Sequence, residues 1–395
     1  MENKMTNLPQ GWEVKTLSEI GEIITGSTPS KSNVEFYRKD YPFFKPSDFE
    51  QGYFLENAGD NLSKLGFGKA RQLPPKTILV VCIGSLGKVA LTRVIGSCNQ
   101  QINAIIPHKN IISEYIYYYC ISSKFQSILF SKAPQTTLAI FNKTEFSKLE
   151  IIYPKDIKEQ ERIVGILDFA FSKIDENIKK AKENLANIDE LMQSALQKAF
   201  NPLKDNAKEN YKLPQSWEWK SLEEISENIS AGGDKPKNCT ESKTAKNQIP
   251  VYANGVNNNG LVGYTDKATI IKPSLTISAR GTIGFVCIRK EPYFPIVRLI
   301  SLIPCENILC LHYLYFCLNF FIVKGEGSSI PQLTIPKFKS LQIPLPPLKE
   351  QEQIAEHLDF VFEKAKALKE LYTKELKDYE ELKQSLLNKA FKGEL

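Results

Sequence analysis

Leu8-Pro9-Gln10-Gly11-Trp12-Glu13 returns, 205 positions later, as Leu213-Pro214-Gln215-Ser216-Trp217-Glu218. Further landmarks recur in the same order. Gly84-Ser85-Leu86-Gly87 reappears as Gly281-Thr282-Ile283-Gly284, and Leu149-Glu150-Ile151 as Leu341-Gln342-Ile343. The stretch from Lys158-Glu159-Gln160 to Leu196-Gln197-Lys198-Ala199-Phe200 returns from Lys349-Glu350-Gln351 to Leu387-Asn388-Lys389-Ala390-Phe391. So long a period exceeds any stacked solenoid unit and suits a duplicated domain-plus-helix module. A chain built this way has pseudo-two-fold character and is expected to meet a partner with two related sites.

Each half opens as a mixed α/β body. Thr77–Ile83 and Leu275–Ser278 predict strands ended by the Gly-x-x-Gly turn, and Lys88–Thr92 and Phe285–Ile288 predict the strands that follow. Ser113–Tyr119 and Leu311–Phe316 predict aromatic helices packed on the sheet. The segments near 158–200 and 349–391 differ in kind. Ile174, Ile178, Ala181, Leu185, Ile188, Met192, Ala195 and Ala199 step by alternating four and three, a coiled-coil seam that Ile163 and Leu167 precede. The second, less regular stripe runs through Ile354, Leu358, Val361, Ala365, Leu368, Tyr372, Leu376, Tyr379, Leu386 and Ala390. Neither stripe can stay in water, so the two helices are expected to pack together, antiparallel. Asn201-Pro202 should stop the first, before a polar link from Lys204 to Asn210. The expected divisions are 1–157, 158–203, 204–347 and 348–395: body, long helix, body, long helix.

At 395 residues and 42% hydrophobic the chain can bury real cores. No apolar run approaches the roughly 18 residues of a membrane span, and Met1–Met5 lacks the apolar core of a signal peptide, so the expected address is the cytoplasm. The eight cysteines lack Cys-x-x-Cys spacing, which predicts reduced, packed thiols and no metal site. The overall charge of +6 is unevenly placed. Residues 1–155 carry +5 (18 basic, 13 acidic side chains) and 156–205 carry −2 (8 and 10). Residues 206–347 again carry +5 (16 and 11) and 348–395 again −2 (9 and 11). Basic bodies on acidic helices suit a polyanion held by the bodies, although ordinary surface charge would look the same.

Catalytic motifs are sparse. Gly84-Ser85-Leu86-Gly87-Lys88 has its glycines too close for a phosphate loop and Val89 where Ser or Thr is needed. The Asn/Asp-Pro-Pro-Tyr/Phe tetrapeptide of adenine methyltransferases is absent, and Asp234 with Glu241 and Lys243 sits in a polar loop rather than on a strand. Polar loop residues able to meet phosphates or base edges are plentiful. The first half offers Lys31, Arg38, Lys45, Lys69, Arg71, Ser85, Lys88, Gln100, Gln101, Gln135 and Thr136. The second offers Lys235, Lys237, Asn254, Asn257, Arg280, Thr282, Arg298, Ser328 and Gln332. Taken singly, each is also an ordinary solvated loop residue. A DNA reader, a self-contained nuclease or methyltransferase, and a coiled-coil adaptor all stay open on this evidence; the second lacks its motif and the third leaves two basic bodies without a role.

Together the landmarks resemble the specificity subunit of type I restriction-modification systems along nearly the whole chain. The family's Leu-Pro-x-x-Trp opening stands at Leu8–Trp12 and Leu213–Trp217, and its Gly-Thr-Ile-Gly turn at Gly281–Gly284. Its Ile-Pro-Leu-Pro-Pro-Leu-x-Glu-Gln stands at Ile343–Gln351, and its Leu-x-Lys-Ala-Phe-x-Gly-Glu-Leu at Leu387–Leu395. The first half departs at Ser85-Leu86 and at Ile151–Lys155. The resemblance implies a non-catalytic DNA-recognition subunit: two α/β target-recognition domains joined by two long helices packed as an antiparallel coiled coil. Each domain would contact half of an asymmetric bipartite site, and the helices would set the gap. It also implies two modification subunits that carry S-adenosylmethionine and methylate adenine, and restriction subunits that use ATP and Mg for cleavage. This chain would hold no cofactor itself.

Overall fold

The repeat persists in the order of the main elements in the computed structural model, which describes residues 8–132, 141–204, 216–322, 325–326 and 333–395. The first copy runs β1 (Trp12–Thr16), α1 (Leu17–Ile20), β2 (Gly21–Thr25), β3 (Tyr41–Phe44), β4 (Phe54–Leu55), β5 (Asp60–Leu62), α2 (Lys64–Lys69), β6 (Ile78–Val81), β7 (Val89–Thr92), β8 (Ser97–Cys98), β9 (Ile102–Pro107), α3 (Ser113–Ile121), α4 (Ser123–Lys132), α5 (Lys143–Ser147), β10 (Glu150–Pro154) and α6 (Ile157–Lys204). The second runs β11 (Glu218–Ser221), α7 (Leu222–Ile225), β12 (Ser226–Ala231), β13 (Ile249–Tyr252), β14 (Leu261–Thr265), β15 (Ser274–Ile277), β16 (Thr282–Ile283), β17 (Val286–Arg289), β18 (Phe294–Pro295), β19 (Ile300–Pro304), α8 (Leu311–Phe321), β20 (Gly325–Glu326), α9 (Ile335–Lys339), β21 (Gln342–Leu345) and α10 (Leu348–Ala390).

The main sheets have the orders β2-β9-β6-β7-β4 and β12-β19-β15-β17, and the small ones β5-β3-β8 and β14-β13-β18. First and last strands of each copy close on one another, β1 on β10 and β11 on β21. Strand β6 is buried at all four residues because both faces of its sheet are covered. Ile78 and Val80 join the core under α3, while Leu79 and Val81 join a second core with Phe44 and Ala104. The expected strand-turn-strand units are present. Their turns need left-handed backbone at Gly84 (φ 81°), Gly87 (φ 88°), Gly281 (φ 69°) and Gly284 (φ 80°), which explains why glycine stands at both ends of each. The short helices α1 and α7 are started alike, with Glu19 accepting from Thr16 N at 2.8 Å and Glu224 accepting from Ser221 N at 2.8 Å.

The KEQ repeat has a structural purpose. Gln160, fully buried, accepts from Ile112 N at 3.0 Å and donates to Pro154 O at 3.0 Å, tying the start of α6 to the start of α3 and the end of β10. Gln351 does the same, accepting from Cys310 N at 2.9 Å and donating to Pro346 O at 2.8 Å. Tyr115 and Tyr313 add matching bonds to Ile152 O (2.9 Å) and Pro344 O (2.8 Å).

By packing, the chain forms two units, one ending at Ala181 and completed by Lys374–Leu395, the other Lys182–Thr373. Both long helices are therefore divided between units, across the expected divisions at 158–203 and 348–395. In the first unit α6 and the end of α10 run antiparallel, with Asp175 on Lys383 and Arg162 donating to Leu395 O at 2.8 Å. Leu387, Ala390 and Phe391 enter the same core as Ile163 and Leu167, and Phe391 meets Tyr119 edge-on at 5.0 Å. In the second unit Asp189 pairs with Lys369, while Leu196 and Phe200 enter the core that holds Leu358. Each helix thus ends inside the body of the other copy. Ala195 and Ala199, placed on the seam by spacing, are only partly buried beside these larger anchors.

Other pairing positions distribute as follows. Ile174 and Ile188 are buried, and Ile178, Leu185, Met192, Ile354, Val361, Leu376 and Leu386 half-buried. Leu368 departs from the expected stripe: it is 42% exposed, because the buried position of its turn is Ala365 and the neighbouring Lys369 turns to Asp189. Pro202 does not stop α6, which continues to Lys204. A proline near the end of a helix removes one amide hydrogen from a turn that is closing anyway.

Candidate nucleic-acid interface

Strand directions bring three connections together at one end of each main sheet. In the first copy β2 ends, β9 begins and β6 ends side by side, since Thr25 pairs with Asn103 and Val81 with Ile102. The connections are Gly26–Thr28, Asn99–Gln101 and Ile83–Gly87. Ser27 N donates to Cys98 O at 3.0 Å, Cys82 N donates to Gln101 O at 2.7 Å, and Thr28 Oγ1 donates to Gln100 Oε1. Ser85 is exposed at the tip of the glycine turn and Gln100 is exposed beside it. Gln101 is committed internally: it accepts from Asn99 Nδ2 at 2.8 Å and donates to Ile83 O at 3.3 Å, bracing two of the three connections.

The second copy presents the same end. Ala231 pairs with Ile300 and Ile277 with Ile300, so Gly232-Gly233, Ile296–Leu299 and Ser278–Gly284 converge. Asn254 is the brace here, donating to Val297 O at 2.6 Å and accepting from Ala279 N at 2.8 Å. It holds the turns that display Arg298 and Arg280, both exposed. Val297 and Arg298 lie in the left-handed region at φ 53° and 59°. For a β-branched residue this is strained backbone, of a kind that persists where its surroundings impose it and that clusters at functional sites. Thr282 is partly buried, and its Oγ1 has no hydrogen-bond partner among the described residues. Lys235, Lys237 and Asn257 are exposed in the loops after β12 and β13.

The remaining cations of the first copy divide in two. Lys45 and Lys88 are paired, with Asp60 and Glu50, and the Lys88 ammonium holds the Glu50 carboxyl below its ordinary range. Lys31, Arg38, Lys69 and Arg71 are exposed around the small sheet and form no ion pair among the described residues. They are the ones left to meet an external anion. Gln135, Thr136, Ser328 and Gln332 lie outside the described residues. Thr28 was not anticipated. Its signal was the glycine after each second strand: a Cβ on Gly26 would stand 2.1 Å from Asn99 O, and one on Gly232 2.6 Å from Ile296 N. Both glycines let two sheet-end connections touch. Burial pushes the Cys82 and Cys98 thiols up to about 12, so these are packing groups.

The geometry therefore defines a duplicated pair of α/β domains, each carried on two antiparallel helix segments and each with a polar sheet end, cationic in the second copy. The family described as Type I restriction modification DNA specificity domain matches residues 9–187 and 214–377, and the chain belongs to it. Subunits of this family recognise DNA sequence and leave catalysis to others. Among relatives, the MjaIX specificity subunit of Methanocaldococcus jannaschii is 24% identical over 92% of this chain and 89% of its own length. The HindI specificity subunit of Haemophilus influenzae is 39% identical over 43% of this chain, a match spanning 38% of that protein. A chain solved in work on complex assembly and conformational transition of the type I R-M system has the same fold, with a TM-score of 0.81 at 19% identity over 99% of this chain and all of that one. The HsdS subunit of Thermoanaerobacter tengcongensis gives 0.58 at 19% identity over the full length of both. No helix among the described residues is long and apolar enough to cross a membrane.

Proposed function

We propose that this chain reads an asymmetric bipartite DNA sequence, one half through each sheet end, within a complex that methylates adenine and restricts unmodified DNA. The carrying observation is that the same three connections converge in both copies while the side chains on them differ: Thr28, Ser85 and Gln100 in one, Arg280 and Arg298 in the other. Equal scaffolds with unequal readers suit two different half-sites. Arg can bridge the acceptors of guanine, Gln can pair with adenine, and the exposed cations near the small sheet suit phosphate. The helix pair separates the readers and sets the unspecified gap. Two modification subunits supply S-adenosylmethionine and the methylation site, and restriction subunits supply ATP- and Mg-dependent cleavage, all in the cytoplasm. Lys31, Arg38, Lys69, Arg71, Lys235 and Lys237 belong in this reading to phosphate binding rather than to base choice, while Asp60 and Glu50 engage Lys45 and Lys88.

The test is to express the chain with its modification subunit in a host lacking adenine methylation and map methylated adenines by single-molecule sequencing. An interrupted site with two unlike halves is expected, with binding that falls steeply between about 50 and 200 mM salt as phosphate counterions are displaced. Methylation at an uninterrupted site, or salt-independent affinity, would count against the reading.

A further inference from the structure

The two main sheets differ at one edge. In the first copy β7 is not the last strand: β4 lies along it in parallel, with Leu91 N donating to Tyr53 O at 2.9 Å and Arg93 N donating to Leu55 O at 3.0 Å. Beside this strand the Tyr53 ring stacks on Tyr117 at 4.1 Å. The segment that supplies β4 lies in the connection from β3 to β5, Lys45–Gly59. Its counterpart from β13 to β14 is only Ala253–Gly260 and contains no strand, so β17 ends its sheet among the described residues.

The uncovered edge is built to take a strand. Ser278 N donates to Phe285 O at 2.9 Å, and an antiparallel ladder alternates, so the backbone groups of Val286 and Ile288 turn away from β15. Beside them runs a groove whose lining includes Phe285, Cys287, Arg289, Tyr315, Phe316 and Phe362. Tyr315 holds the place in α8 that Tyr117 holds in α3, two residues past the tyrosine bonded to the last strand and edge-on to the next aromatic ring (5.1 Å; 5.4 Å for Tyr117). It is the platform without its stacked ring. Arg289, 8% exposed, is held in place there, donating to Thr276 Oγ1 at 3.0 Å and Asn259 O at 2.6 Å.

We propose that the open edge of β17 receives an extended segment of a partner polypeptide, added in parallel to the sheet, with an aromatic residue on Tyr315 and an aliphatic residue two positions later. The chemistry of the occupant is that of β4, which fills the same edge in the other copy. Unpaired strand edges are readily augmented in this way: the main chain supplies affinity, and the pocket for the alternate side chain supplies choice. This reading stands independently of the DNA function, since it concerns a protein ligand.

The probe is a labelled peptide of this chain's own residues 50–58, Glu50-Gln51-Gly52-Tyr53-Phe54-Leu55-Glu56-Asn57-Ala58, titrated into the full-length protein. Saturable binding is expected, weakened about tenfold or more by Tyr315→Ala, which removes the platform, and by Ile288→Pro, which removes an outward amide and is of a kind edge strands tolerate. Hydrogen exchange on each variant reports whether the second body stays folded, and Tyr53→Ala in the peptide gives the same loss without altering the protein. No saturable binding, or binding indifferent to all three changes, overturns the proposal. So does a peptide-independent dimer that Ile288→Pro dissolves, because the edge would then serve a second copy of this chain.

Discussion

The deep parts of the two bodies are near copies, and their rims are not. Inside, Gln160 and Gln351, Tyr115 and Tyr313, and Phe391 and Phe200 make the same contacts twice. On the rim the sheet-end brace is Gln101 in one body and Asn254 in the other, the displayed turn is Asn99–Gln101 against Ile296–Leu299, and one sheet edge is covered while the other is open. The difference teaches that the duplication preserves the scaffold that positions the sheet ends and releases the side chains proposed to read from them. A scaffold that is the same twice can also exchange parts, and the helix ends already do so.

That exchange predicts the largest effect. A chain ended after Lys204 loses Leu387, Ala390 and Phe391 from its own core. It keeps Leu196, Ala199 and Phe200 in the same spacing, with no body to enter. Emptying one buried Phe site alone costs about 3–5 kcal/mol, so the shortened chain is expected to pair two-fold, each helix end filling the other's slot. Sedimentation should show a dimer. With the modification subunit it should methylate an interrupted palindrome built from the first half-site. A monomer that still recognises the original asymmetric site would break the equivalence of the two slots.

Single substitutions sharpen the same point. Phe391→Ala should remove about 3–5 kcal/mol from the first body, and Phe200→Ala a like amount from the second, although each residue belongs by sequence to the other copy. Hydrogen exchange resolved by residue separates these outcomes: loss of protection in the copy that contains the substituted residue, with the other unaffected, would contradict the crossed packing.

How much of this was legible beforehand follows from what a repeat can and cannot carry. The Gly-x-x-Gly turns, the aromatic helices and the heptad spacing of Ile174 to Met192 are local patterns, and each marks its element directly. Leu196 and Phe200 are also local residues, but their burial depends on a body that the chain builds only later. Periodicity therefore placed Ala195 and Ala199 on the seam and passed over the larger pair. Leu368 shows the reverse case, apolar and correctly spaced, yet exposed while Ala365 takes the buried position of that turn. At the rim, residue type marked Gln100, Gln101, Asn254 and Arg298 alike. Burial and hydrogen bonding separate Gln101 and Asn254, whose amides brace the connections from within, from Gln100 and Arg298, which are exposed, Gln100 with only the Thr28 hydroxyl on its oxygen.

That separation predicts half-site effects of intermediate size. Arg298→Ala should relax base preference in the second half-site alone and Gln100→Ala in the first alone, each by about 1–3 kcal/mol if the contact is bidentate. Methylation maps of the two variants, compared base by base, carry the answer. A single substitution that relaxes bases in both halves would sink the assignment of one reader to each body.

The smallest effect concerns the turn itself. Val297 is held at φ 53°, where an L side chain costs about 1–2 kcal/mol and a β-branched one is most strained. Asn254 imposes that conformation by holding the Val297 carbonyl at 2.6 Å, and the neighbouring Arg298 is aimed by it. Glycine adopts this backbone without strain but gives up about 0.5–1 kcal/mol of chain entropy, so Val297→Gly should raise stability by no more than about 1 kcal/mol. The same change should loosen the aim of Arg298 and broaden preference in the second half-site. In the first body none of the described turn residues Asn99–Gln101 has a positive φ, so Gln100→Gly can only destabilise. Opposite signs in thermal melts of the two glycine variants would confirm that strain is stored in one reader and not the other; equal losses in both would show that the Val297 turn carries none.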